Sequence, residues 1–440
     1  MNDLKLIVLE LNEINFSLIN KYIEKENYKL KNFEKLINEF QYIETYSEKE
    51  YKLLEPWIQW TSAHTGKTYN EHKMFRLGDV ANKHINLNQI FEKLEKNGEK
   101  VGAISPMNAA NLMKNPAYFI PDPWTQTISD KSKFSNKIFK MIQQTVNDNS
   151  KNKIKLSSFL TLIEIFLKTF NFRRSFILIK LAFQALFNRW QRSLVFDYII
   201  HLIHLLYMRK KTPTVSFCFF NAGAHIQHHY MLNSPHVKKL NSNPTWYIKE
   251  KYDPIEKMLI VYDMIIEDYI NLIGEKTKLI VSTGLSQVPY DRVKYYYRLK
   301  DHEIFLNKLC IKYKNIFPRM TRDFELTFNN KNEKNIAFNL LDSMKMRKNS
   351  VKIFSEIESR ENSLFVTLTY PEEINTFDII DYNNGSIDNF YDEISFVAIK
   401  NGMHNSKGYT FMSKNINCEF NKNAIHVKEL YNITLSAVSG

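Results

Sequence analysis

The stretch that most constrains this chain is its opening, Leu4-Lys5-Leu6-Ile7-Val8-Leu9-Glu10-Leu11, an apolar run rich in branched residues that stops at Asn12 and Glu13. Such a run suits a strand buried on both faces of a parallel sheet. Helical periodicity follows from Phe16 to Phe40, and a second strand-like piece from Gln41 to Tyr46 completes a βαβ opening. Downstream, Gln89 to Asn97 predicts a helix, while Lys100 to Ser105, Thr214 to Phe220 and Lys278 to Ser282 predict strands. Strands alternating with helices predict an α/β fold, a mainly parallel sheet sandwiched by helices.

The alternation stops between about Phe134 and Met208, where some 75 residues keep a helical pattern and predict several antiparallel helices inserted into the sheet domain. Their longest charge-free piece, Tyr198 to Met208, is too short to span a bilayer. The chain carries a net charge of +13, and residues Lys151 to Lys211 hold twelve Lys or Arg against Glu164 and Asp197. A basic excess among Phe and Leu suggests an anionic surface, a lipid headgroup layer or a polyanion; a solvated basic face explains it equally well. Nucleic acid ranks last, because the aromatics follow helical spacing. With no Pro/Gly linker in sight, the expectation is one domain over residues 1–440 with a helical basic insertion at 134–208, the part from about Asn330 completing the same domain.

The start lacks the apolar core and cleavage site of a signal peptide, and Cys218, Cys310 and Cys418 form no CxxC. Both point to a cytoplasmic chain with reduced thiols, peripheral at the inner membrane face if the basic insertion binds lipid.

Ligands in open parallel sheets bind beyond the carboxyl ends of the strands. Glu10, Asn12 and Glu13 end the first strand, and Glu10 and Asn12, two apart, share a face. Glu55 precedes Pro56, which suits the first position of a helix and leaves Glu55 at its N-terminus; Thr61, His64, Thr65-Gly66 and Glu71-His72 follow. Asn221-Ala222-Gly223-Ala224-His225-Ile226-Gln227-His228-His229 follows a strand, and three histidines in five residues there form a metal or proton-transfer pattern, although any one His is more often buried and hydrogen-bonded. Ser282-Thr283-Gly284-Leu285-Ser286-Gln287 offers hydroxyls at a strand end or is a plain turn, and Gly402-Met403-His404 follows the strand-like Phe396 to Ile399. Arg292, Arg298, Arg319 and Arg322 are a phosphate clamp or, more commonly for such runs, solvated ion pairs.

In their order, these pieces resemble the alkaline-phosphatase superfamily, in particular its nucleotide pyrophosphatase/phosphodiesterase branch, along nearly the whole chain. That family carries an Asp after the first strand, a Thr or Ser nucleophile at a helix N-terminus, a T-G…H-G element, D-x-x-x-H, D-H-G and a final G-x-H-G. Here Asn12 stands at the first Asp, Thr65-Gly66 with Glu71-His72 is similar to the next element, and Asn221 and His225 match D-x-x-x-H. Ser282-Thr283-Gly284 occupies the D-H-G position and Gly402-Met403-His404 the last. Three carboxylates and one imidazole of the frame are thus replaced, and Pro56, with Glu55 beside it, stands at the nucleophile spacing.

The resemblance implies an alkaline-phosphatase-like sheet and chemistry at phosphorus, with an altered metal site in place of the ordinary two-zinc one. Two alternatives stay open: one divalent metal (Zn, Mn or Mg) held by His225 and His404, completed by Glu10, Glu55 or His228, or a metal-free site with His as general base. His225, His404, Glu55 and Glu10 are the candidate catalytic groups, and Asn12, Thr61, Asn221, His228, Ser282 and Thr283 the candidate substrate-binding ones. Glu10, Asn12, Glu55, His225 and His404 are expected to converge on one pocket. The implied activity is that of a hydrolase, phosphodiesterase or transferase on a nucleotide-linked or lipid-linked sugar, as in surface polysaccharide biosynthesis. The alternative is a non-catalytic anion- or glycan-binding protein on a decayed phosphatase fold.

Overall fold

In the computed structural model, which describes residues 3–26, 30–82, 87–147, 155–238, 241–319, 322–383, 385–417 and 423–439, the opening apolar run forms strand β1 (Leu6–Leu11), every residue of it buried. It pairs in parallel with β5 (Val215–Phe220) on one side and β6 (Lys278–Ser282) on the other. The other strands of this sheet are β2 (Gln41–Tyr46), β3 (Val101–Ile104), β4 (Tyr118–Ile120), β9 (Lys407–Met412) and β10 (Ala424–His426), in the order β10-β2-β9-β6-β1-β5-β3-β4. Only β9 runs antiparallel to its neighbours, β2 and β6. This is the mainly parallel α/β sheet expected.

Period-2 alternation along β1 builds two cores. Ile7, Leu9 and Leu11 pack under α1 (Phe16–Glu26), α2 (Lys31–Glu39) and, further along the sheet, α5 (Lys133–Asn147), α8 (Arg192–Lys211), α9 (Ala222–Tyr230) and α10 (Pro254–Ile270). Leu6 and Val8 point the other way, to Trp60 and Ala63 of α3 (Pro56–Thr65), Phe91 of α4 (Ile90–Lys96) and Ile433 of α11 (Leu430–Ser439). Full burial of such side chains contributes about 1.5–3 kcal/mol each. The helical stretch holds four helices in the described residues, α6 (Leu156–Thr169) and α7 (Phe172–Phe187) lying between α5 and α8 in the chain. No described helix is long and apolar enough to cross a membrane.

The chain divides into two compact units, 1–289 with 402–440, and 290–401, where one domain over residues 1–440 was the expectation. The part after Asn330 is accordingly shared between them. In the second unit, strands Tyr295–Leu299 and Ile394–Ile399 pair antiparallel, so the FVAI run is not a strand of the main sheet. A four-stranded antiparallel sheet packs there around Phe305, Phe324 and Phe354. The arginine run is also in this unit, and three of its four arginines are engaged within the protein: Arg319 pairs with Glu325, Arg322 donates to the Leu368 carbonyl at 3.1 Å, and Arg292 pairs with Asp291 at 3.4 Å. Its Met320 and Thr321 lie outside the described residues, as do Cys418 and, from the basic run, Lys151 and Lys153. Cys218 and Cys310 are free thiols.

Candidate functional site

The site grows from the carboxyl end of β1. Beyond Leu11 the backbone stays tied to both neighbours, Asn12 donating to the Phe220 carbonyl at 3.0 Å and Glu13 to that of Thr283 at 3.1 Å. Glu13 then takes a left-handed φ of 61°, uncommon for a residue with a side chain, and its carboxylate is buried. Two elements close over it. Helix α9, starting after β5, presents His228, and a two-stranded ribbon of β7 (Ser286–Pro289) and β8 (Gly402–Asn405) presents His404 directly opposite Gln287.

Glu13 Oε2 lies 3.0 Å from His228 Nε2 and 3.2 Å from His404 Nε2, and the two Nε2 atoms are 3.2 Å apart. Gln287 Nε2 donates to the same carboxylate oxygen, and Asn12 Nδ2 to the other at 3.1 Å. Burial alone would raise the Glu13 pKa, but His404 and His228, by charge and hydrogen bond, hold it well below the usual carboxylate range. The site therefore keeps a permanent anion between two imidazoles. Glu55, at the N-cap of α3, brings Oε2 to 3.8 Å from His404 Nδ1, on the far edge of the ring.

Among the described residues, Glu13, His228 and His404 form a group that could hold a metal ion. The donor set suits it: a tetrahedral shell with bonds of about 2.0–2.2 Å has edges of roughly 3.3–3.6 Å, so an ion would fit with shifts of a few tenths of an ångström. Among the described residues no group is matched to a second ion. Asn12 Nδ2 donates to Asn221 Oδ1 at 2.8 Å and Trp60 Nε1 to Asn12 Oδ1 at 2.8 Å, an amide pair with no anionic ligand at the two Asp positions of the frame.

Of the candidates read from sequence, His404, His228 and Glu55 come together here, with Asn12 and Asn221 beside them. His225 does not join the metal group: it sits one turn before His228 on α9, its ring 4.6 Å from that of His229, and burial, then the nearby His228, push its pKa down to about 4. The pair His225 and His404 is thus corrected to His228 and His404. Glu10 shares a face with Asn12 as expected, but the pair of strand steps carries it away from Glu13. Its Oε1 meets His64 Nε2 at 2.7 Å, both side chains buried, just as Asn12 meets Trp60 one helical turn earlier on α3.

Three substrate-binding candidates are occupied structurally. Thr61 donates to the Trp57 carbonyl at 2.8 Å and accepts from Asn108 Nδ2 at 3.0 Å. Ser282 Oγ bonds Thr410 Oγ1 at 2.9 Å, and Thr283 Oγ1 accepts from Tyr409 N at 2.9 Å, so both hold β6 to β9. His72 is likewise structural: Nδ1 accepts from Met74 N, Nε2 faces Ser62 Oγ, and burial pushes its pKa down to about 4. Sequence reasoning left Glu13 and Gln287 out of the site, although both stood in the stretches it singled out.

No protein-family model matches the sequence, and no curated protein does. Among solved structures, similarity extends to phosphonoacetate hydrolase from Sinorhizobium meliloti 1021 in complex with phosphonoformate (8% identity, 99% of this chain and 96% of that one, TM-score 0.41). It extends also to murine ectonucleotide pyrophosphatase/phosphodiesterase 5 (10% identity, 99% and 95%, TM-score 0.39) and to alkaline phosphatase PafA (10%, 97% and 94%, TM-score 0.41). These are proteins of the kind whose motif frame the sequence resembles; with so few identical residues and such TM-scores, the fold rests on the sheet itself and the chemistry on the residues described above.

Proposed function

We propose that this protein is a phosphorus-centred enzyme resembling the alkaline-phosphatase superfamily, with one divalent metal site in place of two. The observation that carries this reading is the convergence of Glu13 Oε2, His228 Nε2 and His404 Nε2 at the carboxyl end of the central strand. When bound, the ion supplies Lewis-acid polarisation of a phosphoryl oxygen. Glu13 and the two imidazoles hold it, and Gln287 and Asn12 orient the Glu13 carboxylate. Glu55, at the N-cap beside Pro56, the residue at the frame's nucleophile spacing, is the group to take the proton from an attacking hydroxyl. The attack forms one oxygen–phosphorus bond and breaks the bond to the leaving oxygen. With water as acceptor the enzyme is a phosphodiesterase; with a sugar hydroxyl it is a transferase. A nucleotide-linked or lipid-linked sugar in surface-glycan assembly is the substrate class this reading favours, since a diester has the phosphorus and leaving group such a site handles.

A second reading, a non-catalytic anion- or glycan-binding protein, draws on the lack of a free hydroxyl in the first turns of α3, where Thr61 and Ser62 are bonded internally.

Protein purified without chelators should carry about one equivalent of divalent metal and turn over bis(p-nitrophenyl) phosphate. H228A and H404A should lose the metal and at least about a hundredfold in turnover, with the circular-dichroism spectrum unchanged, because both side chains are only partly buried and lie outside the hydrophobic core. Wild-type protein free of metal and turnover, yet binding phosphate or glycan, would establish the second reading.

A further inference from the structure

Helices α6 and α7 expose far more large apolar side chains than they bury. Of the six residues they bury, Ser158 and Thr161 on α6 and Ser175 and Ala185 on α7 are small or polar and only Ile165 and Leu181 are large and apolar, while Phe159, Leu167, Phe176, Phe183 and Phe187 point outward. Twelve large apolar side chains between Leu156 and Phe187 are exposed, Phe172 at the turn by 84%. A surface helix of a water-soluble protein shows the reverse pattern. Together these side chains leave on the order of 1,000 Å² of apolar surface in water, against roughly 300–600 Å² for the largest patch on a typical monomer.

Charge identifies the occupant. From Lys155 to Arg192 there are seven Lys or Arg and one acid, Glu164, which pairs with Lys137 and Lys168. Arg173 and Arg174 are bonded to Glu267 and Asp268 of α10 and so fasten α7 to the body of the unit. Lys155, Lys180 and Arg189 stand exposed, Lys180 beside the outward Ile179 and Phe183. A second copy meeting this face would set like charge against like, whereas anionic headgroups complement it.

We propose that α6 and α7 seat this protein on the surface of an anionic lipid bilayer, the apolar side chains at the headgroup–acyl boundary and the cations among the phosphates. The inference is independent of the chemistry assigned to Glu13, His228 and His404.

Flotation with phosphatidylcholine vesicles, with and without phosphatidylglycerol, tests it. Wild-type protein should float with the anionic vesicles at low salt. The double variant F176E/F183E should lose this, and K180E/R189E should bind about tenfold more weakly or less, in a salt-sensitive way. Both variants should keep wild-type circular dichroism and turnover on a soluble diester, which separates membrane docking from the catalytic reading. Wild-type protein that ignores anionic vesicles at low salt overturns the proposal. So does a discrete dimer that F176E/F183E splits, since a second copy would then cover the face.

Discussion

Asn12 shows how one residue sets what the site can hold. Its amide donates to Glu13 and Asn221 and accepts from the Trp60 indole, so oxygen and nitrogen are each fixed by a partner. An Asp there would keep the indole bond, lose both donations and place a second carboxylate against Glu13 in a buried setting. N12D should therefore lower stability by about 1–3 kcal/mol and should not create a second metal site, since Asn221 still offers no anion. Chemical denaturation and metal stoichiometry check the two parts; a gain of a second equivalent of metal would show that the amide pair had been the sole obstacle. Glu13 itself holds a left-handed backbone, of the kind that costs about 1–3 kcal/mol and persists where neighbours over-determine it. Here those neighbours are the Thr283 carbonyl on its N–H and Gln227 Nε2 on its carbonyl.

Among the elements, the β7–β8 ribbon is the one on which the site turns. It sets His404 opposite Gln287, and Gly402 is the residue that lets it lie so close. A Cβ on Gly402 would stand 2.1 Å from Gln287 Oε1 and 2.8 Å from the Gln227 carbonyl of α9. G402A should displace Gln287 from Glu13, lower metal affinity about 10–100-fold and cost about 1–3 kcal/mol, read by metal titration and by the denaturation midpoint; unchanged affinity would mean that Gln287 does not position Glu13. The ribbon was also the least legible element. Strands β1, β5 and β6 announce themselves as predominantly apolar runs, and their ends lie within one or two residues of those the runs predict. Ser286–Pro289 and Gly402–Asn405 are four residues each, polar, and stand where turn chemistry reads equally well, so their pairing is a tertiary fact. Likewise His225 and His228 sit one turn apart on one short helix, and only its packing against the ribbon decides which ring meets His404. The outward Phe residues of α6 and α7 were visible as helical periodicity, but periodicity does not say which face a helix buries.

In the first unit, neutral histidines buried in the core contribute to the response to acid. His204 is enclosed by Tyr269 and Ser216, and burial, helped by His201, pushes its pKa down to about 3; burial likewise lowers His72 to about 4. Below the unfolded value of 6.5 the unfolded chain takes these protons and the folded chain does not, so stability falls as pH falls toward 4. Asp197, which caps α9 through Ala222 N, opposes this: burial raises its pKa to about 6, so the folded state holds a proton that the unfolded one has lost between about pH 4 and 6. Among these three groups, two histidines against one carboxylate leave a loss on the order of 1 kcal/mol per pH unit in that window, and between 6.5 and 6 only the two histidines of the three act. H204N should remove the contribution of one histidine, flattening the slope of unfolding free energy against pH between 6.5 and 4.5 whatever its effect at pH 7. Denaturant titrations across that range decide it, and an unchanged slope in H204N would mean that His204 takes up its proton within the folded core.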